Sequence, residues 1–455
     1  MRIPGFAVGP LVLIAFGCAG VPPVLAPLPV LLVIAPAAFR SDLAGYLEHR
    51  NRDMPVEFVP LESLLATTDG SDDAERLKRF LFGRWQQGSL RHALLVGDSD
   101  CLPVRYMCLD RWTPAAANIA FYPSDLYYAD LADAAGAFDD WNARQDGVHA
   151  RYFGEVHGES IKTDPINLDG VSYVPEIGVG RWPVSSGAQA AAVARKVIDY
   201  EQALDAQAAG ARRAFFVSID GWVDTRALMA EWAASLPPGW DATMLANGLA
   251  EPPDEAHVVA AIQAGAELVV HAGHGHDDGW EQGVGTGSID RFRCGARLPI
   301  ILSAGCSTAR FAVLPPYEPY VDVDGAAHAG TNAGEVFAAP PPPPHCYQGG
   351  ELMRSGFGEA LLRAPGSGAI AYFGCNTGSQ PCGLTLVGGF VQALAQADTP
   401  RPRLGDLWRS AVARYVEEER LMTLVPDDGW YPPSIFFQGM KFMLFGDPSL
   451  RVAGP

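Results

Sequence analysis

The chain has 455 residues, 48% hydrophobic and 10% aromatic, which suffices for a sizeable core and argues against a disordered chain. Asp and Glu outnumber Lys and Arg by 52 to 33, and the net charge of −19 argues against nucleic acid or an anionic membrane surface as partner. The first predicted element is a targeting segment: Arg2 precedes "GFAVGPLVLIAFGC", the charged-then-apolar order of a signal peptide over residues 1–17. That run is too short and too broken by proline for a membrane-spanning helix. "AFGC" resembles a bacterial lipoprotein box, which would make a lipid on Cys18 the only route to a membrane; cleavage a few residues later, as an ordinary signal peptide, is the alternative. Either way the mature protein is expected to be exported, with residues 18–29 as a Pro-rich linker.

The apolar run Val30–Ile34 reads as a strand buried on both faces. Leu43, Tyr46 and Leu47 then share one helical face, "VEFVPL" is a second strand, "AERLKRFLFGRWQQG" an amphipathic helix and "HALLVGDSDCLP" a third strand. This alternation predicts an α/β fold with a parallel sheet. "EIGVGRWPV" and the long helix "SGAQAAAVARKVIDYEQAL" follow, and "AQAAGARR" reads as the join between an N-terminal subdomain, 30–207, and a second one, 208–455. The second begins with the strand "RRAFFVSIDGW" and the helices "TRALMAEWAASL" and "DEAHVVAAIQAG". "AELVVHAGHG" and "RLPIILSAGC" are its next strands, and residues 312–349, with the run Pro340–Pro344, read as a surface insertion.

"FDDWNARQDG" interrupts this rhythm with Asp139, Asp140, Asn142 and Asp146. The four oxygen-bearing side chains make a candidate calcium loop without EF-hand spacing; a solvated loop is the alternative. Apart from Cys18 and Cys306, the cysteines are Cys101, Cys108, Cys294, Cys346, Cys375 and Cys382, an even number that in an exported protein suggests up to three disulfides.

The chemistry concentrates where two strands end. Val269-Val270 leads into "HAGHGHDDGW", which holds His271, His274 and His276, and Ile300-Ile301-Leu302 leads into Cys306. Ligands of open parallel sheets sit beyond the carboxyl ends of strands. If these two strands are neighbours, His274 and Cys306 lie side by side, as a thiol–imidazole pair requires: the ring draws off the proton and the thiolate is the nucleophile.

"GHGHDDGW" and "ILSAGC" resemble the histidine and cysteine motifs of the gingipain-like cysteine peptidases, peptidase family C25, which belong with caspases and legumains. "HALLVGDSDCLPVR", "SDLYYADL", "PEIGVGRWPV" with "KVIDYE", "FGEALLRAPGSGAIAYFG" and "LFGDPSL" resemble further landmarks of that family in its order. The resemblance implies a caspase/gingipain-like α/β fold of two adjacent subdomains, with mostly parallel sheets flanked by helices. It implies His274 as the base, Cys306 as the nucleophile, the backbone N–H groups of Gly275 and Cys306 as the oxyanion hole, and peptide or protein substrates, with no cofactor required. Asp220, at the end of "FFVSIDGW", falls where the family has an acidic residue, usually Glu, that orients the histidine. Two departures stand out: Gly305 precedes Cys306 where the family has Ala, and the insertion follows the cysteine directly.

Asp224, His276, Asp277 and Asp278 are candidate pocket residues, the aspartates as selectors of a basic P1 side chain or as solvated loop acids. His271 is expected to be packed or hydrogen-bonded on its strand and Trp280 to be structural. Two alternatives belong to other classes. In the first, His274, His276 and Asp278 form part of a zinc hydrolase motif, although Gly279 stands where a further His is needed. In the second, the fold is a peptidase scaffold that binds without catalysis.

Overall fold

The apolar runs of the sequence become strands of one ten-stranded sheet. The structure, a computed structural model, describes residues 29–108, 121–139, 141, 171–206, 212–312, 355–424 and 438–454, with short strands inside 320–353. The signal peptide, Cys18, nearly all of the 18–29 linker, Asp140, Asn142, Asp146 and most of the 312–349 insertion lie outside the described residues.

In chain order the strands of the sheet are β1 (Val30–Ala35), β2 (Val56–Pro60), β3 (Leu90–Val96), β4 (Gly178–Trp182), β5 (Arg212–Ser218), β6 (Trp240–Ala246), β7 (Leu268–Ala272), β8 (Ile300–Ser303), β9 (Ala371–Cys375) and β10 (Phe442–Phe445). Their order in space is β2-β1-β3-β4-β10-β9-β8-β7-β5-β6. Every neighbouring pair is parallel except β9 and β10, which are antiparallel. The sheet therefore has two parallel halves that run in opposite directions. Residues 30–207 and 208–455 both contribute strands to this one sheet, and β10, from the C-terminal end of the chain, runs with the strands of the first stretch. The central strands read as continuous apolar runs because both faces are covered: β7 to β9 are buried at every residue.

Consecutive strand residues point to opposite faces, and Tyr372 and Phe373 show what covers each. Phe373 packs on Phe390 and Trp408, from the helices Gly383–Ala395 and Leu404–Glu418. Tyr372 packs on Phe357, at the start of the helix Phe357–Arg363. A buried ion-pair network closes the far end of the fold. Arg50, fully buried, donates to Glu201 at 2.9 Å and to Asp447 at 2.6 Å, and the Tyr46 hydroxyl donates to Asp447 at 2.8 Å.

Among the described residues Cys101, Cys294, Cys306, Cys375 and Cys382 are in no disulfide. This corrects the expected disulfide framework for four of its six cysteines. Each sits in its own packing environment, Cys375 at the end of β9 and Cys382 ahead of the helix Gly383–Ala395. Burial pushes the thiols of Cys101, Cys375 and Cys382 up to about 12. The side chains of Cys108 and Cys346 are outside the described residues. Of the candidate calcium loop only Asp139 is described. It is buried, its Oδ2 accepts the Ser172 N–H at 3.3 Å, and its cationic neighbour is the Lys78 ammonium. That ammonium lies over the rings of Tyr127, Phe138 and Trp141.

Candidate active site

Strands β7 and β8 are parallel neighbours, and His271 pairs with Ser303. His274 and Cys306 each lie three residues beyond a member of that pair (274 − 271 and 306 − 303). The 32-residue spacing between them is thus the register offset of the two strands (303 − 271). Two turns leave the carboxyl edge of the sheet side by side, one presenting the imidazole and the other the thiol. Both side chains are half-buried.

Gly275 lets these turns touch. A Cβ at that position would lie 2.6 Å from Thr308 Cγ2 and 2.8 Å from the Cys306 carbonyl oxygen, so any larger residue would push them apart. Gly275 also starts a short hairpin with Trp280. There the Glu281 N–H bonds to the His274 carbonyl at 3.1 Å, while the Trp280 N–H turns outward to Val284 at 2.8 Å. Gly275 and Trp280 are therefore a non-hydrogen-bonded pair, and the Gly275 N–H points away from its hairpin partner.

The orienting partner of His274 differs from the expected one. Nε2 lies 2.7 Å from the carbonyl oxygen of Gly221. A carbonyl only accepts, so Nε2 carries the proton and Nδ1 is the basic nitrogen. Asp220 is exposed and makes no hydrogen bond to the ring. The reason is local: Gly221 has φ +103°, a left-handed conformation suited to glycine, which aims its carbonyl at His274 while the carboxylate before it stays in solvent. Asp220→Asn is therefore expected to keep kcat/KM within about threefold of wild type. A steady-state assay on a peptide substrate checks this, and a loss of a hundredfold or more would restore the carboxylate to the orienting role.

Cys306 has a partner that its sequence context does not reveal. The Ser379 backbone N–H lies 3.3 Å from Sγ and donates to it. Ser379 follows β9, the neighbour of β8, and its own hydroxyl is buried without a hydrogen bond. Ser307, next to the nucleophile, has φ +60°, uncommon for a residue with a side chain, and its N–H is held by Thr377 O at 2.7 Å.

The remaining candidates fall on different sides of the site. Asp224 is exposed and held by Nε and an NH2 of Arg226 at 2.9 and 2.7 Å, so its charge is answered within its own loop. Asp277 is buried, which raises its carboxyl above the ordinary range, and its carbonyl accepts the Phe357 N–H that begins the helix Phe357–Arg363. Asp278 is exposed, and His276 is half-buried with Nε2 3.8 Å from Glu281. The zinc alternative would need His274, His276 and Asp278 grouped around one point, and among the described residues no three His, Cys, Asp or Glu side chains are grouped to hold a metal ion.

His271 and Trp280 are packed together beneath the turns, their rings stacked at 4.1 Å and 6°. Burial alone lowers the His271 pKa to about 3 from an ordinary 6.5. A proton therefore binds the unfolded chain before the folded one, and stability present above pH 6.5 is lost as pH falls toward 3. The loss over that window is expected to be about 3–5 kcal/mol. Urea unfolding of wild type and His271→Phe at several pH values checks it; parallel pH profiles for the two would show that His271 does not titrate in this way.

The full sequence matches the profile of peptidase family C25 over residues 26–453. No curated protein sequence matches the chain. Solved structures with the same fold include the complex of Porphyromonas gingivalis RgpB pro- and mature domains, with a TM-score of 0.56 at 15% identity, covering 93% of this chain and 79% of that one. The Arg-specific cysteine proteinase gingipain R superimposes with a TM-score of 0.55 at 16% identity, covering 93% and 78%. A further structure described as a protease gives 0.57 at 13% identity, covering 93% and 78%. The sheet, the paired strand ends and a profile match across nearly the whole chain lead to one assignment: the protein belongs to peptidase family C25, a family of cysteine peptidases.

Proposed function

We propose that the chain is an exported cysteine endopeptidase that hydrolyses peptide bonds through Cys306 and His274. The observation that carries this reading is the β7–β8 register, which brings the two strand ends together at the carboxyl edge of the sheet. Nδ1 of His274 takes the proton of Cys306, and the thiolate attacks the scissile carbonyl carbon. The oxyanion is received by the N–H groups of Gly275 and Cys306. Nδ1–H then protonates the leaving amine as the C–N bond breaks and leaves a thioester on Cys306. A water gives its proton to Nδ1, adds to the thioester and releases the acid, and the thiol is restored. The Gly221 carbonyl holds Nε2–H throughout and stabilises the imidazolium between the two proton transfers, the part first expected of Asp220.

The charged-then-apolar segment 1–17 supports export. Among the described residues no helix is long and apolar enough to cross a membrane. The arginine preference in the name of the similar gingipain is not carried over, because Asp224, a candidate selector of a basic P1, is already bound by Arg226.

The test is labelling with a peptidyl acyloxymethyl ketone followed by peptide mapping. The expected adduct is on Cys306, and it disappears in His274→Ala. Absence of the adduct in wild type would favour a scaffold without catalysis.

A further inference from the structure

His271 touches both catalytic turns without belonging to either. It is fully buried, and its ring is stacked on Trp280 at 4.1 Å. On its other side are two glycines. A Cβ on Gly273 would lie 3.2 Å from His271 Nε2, and a Cβ on Gly305 would lie 3.1 Å from His271 Cε1. Gly273 precedes His274 and Gly305 precedes Cys306. The imidazole therefore fills the space under the two residues that lead into the base and the nucleophile, and the missing side chains are what let it sit there.

The ring is also bonded to the cysteine turn. Nδ1 is 2.9 Å from Ser303 Oγ, and the same oxygen accepts the Gly305 N–H at 3.2 Å. The Thr308 hydroxyl donates to Ser303 Oγ at 3.4 Å and is 3.2 Å from the Gly305 carbonyl. Trp280 Nε1 donates to the Tyr372 hydroxyl at 3.4 Å. The Gly305 N–H is thus held on the same oxygen that bonds His271, and the next N–H along the chain is that of Cys306.

Packing alone does not account for an imidazole here. A phenyl ring would stack on Trp280 as well, and it would not bury Nε2, which has no hydrogen-bond partner among the described residues. What the imidazole adds is the Nδ1–Ser303 bond. We propose that His271 is a positioning residue: wedged under Gly273 and Gly305 and bonded to Ser303, it sets the separation of the base and nucleophile turns and the direction of the Cys306 N–H. This rests on the Cys306–His274 reading above.

The experiment compares Ser303→Ala, His271→Phe and His271→Asn with Cys306→Ala, using a fluorogenic peptide, thermal melting and the pH dependence of Cys306 alkylation by iodoacetamide. Ser303→Ala and His271→Phe are expected to lower kcat about 10- to 100-fold, with KM within about twofold and the alkylation profile unmoved, because the thiol and its base remain. His271→Asn places an amide near the Nδ1 position and should recover part of the loss. A folded Ser303→Ala protein with wild-type kcat overturns the proposal, as does a loss confined to KM. Should His271→Phe not fold, Ser303→Ala still decides, since it removes a single hydroxyl. If Cys306→Ala keeps full activity, the dyad reading fails instead, and that result is separate from the behaviour of Ser303.

Discussion

Cys306→Ala is expected to lower peptide hydrolysis by about 10⁵-fold or more, with the melting temperature within a few degrees of wild type. Activity falls so far because the covalent route is lost entirely, leaving binding and the oxyanion donors to act on water. Stability changes little because, among the described residues, the half-buried Sγ has the Ser379 N–H and carbonyl as its polar partners, at 3.3 and 3.7 Å. His274→Ala is expected to cost a similar factor, and the double variant little more than either single one, since the two side chains act as a unit. The zinc alternative predicts the reverse pattern: a near-silent Cys306→Ala beside large losses in His276→Ala and Asp278→Ala. Steady-state rates of these variants, with active sites titrated by the labelling reagent, separate the readings. Among the described residues burial raises the thiols of Cys101, Cys294, Cys375 and Cys382, which disfavours their reactive form, and peptide mapping separates Cys306 from the remaining cysteines. A Cys306→Ala enzyme within tenfold of wild type would end the nucleophile assignment.

The parts of this site that were legible in the sequence are those fixed along a strand. Apolar runs revealed β7 and β8, and small residues after each run marked His274 and Cys306 as presented at turns. What adjacency would place together was conditional, and the register supplies it. The hidden parts come from elements distant in the chain. Gly221 orients His274 through a backbone carbonyl, which leaves no side-chain signature; only the Asp220-Gly221 turn pattern hints at a left-handed residue there. Ser379 reaches Cys306 through a backbone N–H from beyond β9, across the insertion. One edge strand was similarly hard to read. β6, "WDATMLA", is exposed or half-buried along most of its length, so it lacks the apolar run that marks β7 and β8. The cysteine count misled for a different reason: an even number of thiols in an exported chain permits disulfides, but packing decides whether they meet.

The closing motif "LFGDPSL" makes the strongest stability prediction. Asp447→Ala is expected to destabilise the fold by about 3–5 kcal/mol while leaving kcat/KM of the folded fraction unchanged. The carboxylate is fully buried. Its Oδ2 accepts from Arg50 at 2.6 Å and Tyr46 at 2.8 Å, and its Oδ1 from the Ser449 N–H and hydroxyl at 2.8 and 2.6 Å. Removing it strands a buried guanidinium with Glu201 as its remaining close buried carboxylate and leaves three further donors without their acceptor. Burial would raise the Glu201 carboxyl, but His49 and Arg50 hold it down to about 2 against an ordinary 4.5. The stability that this pairing contributes is therefore present above pH 4.5 and is lost as pH falls toward 2. Asp447→Asn, which keeps one acceptor oxygen, should cost less than alanine. Activity is spared because β10 runs against β9, so Asp447 lies at the opposite edge of the sheet from Cys306. Urea midpoints at neutral pH measure the loss, and rates per folded molecule measure the sparing. A fully folded Asp447→Ala protein with a large drop in kcat would place the motif in the active site rather than in the frame that holds helix Ala44–Arg50, helix Gly187–Ala206 and the C-terminal turn together.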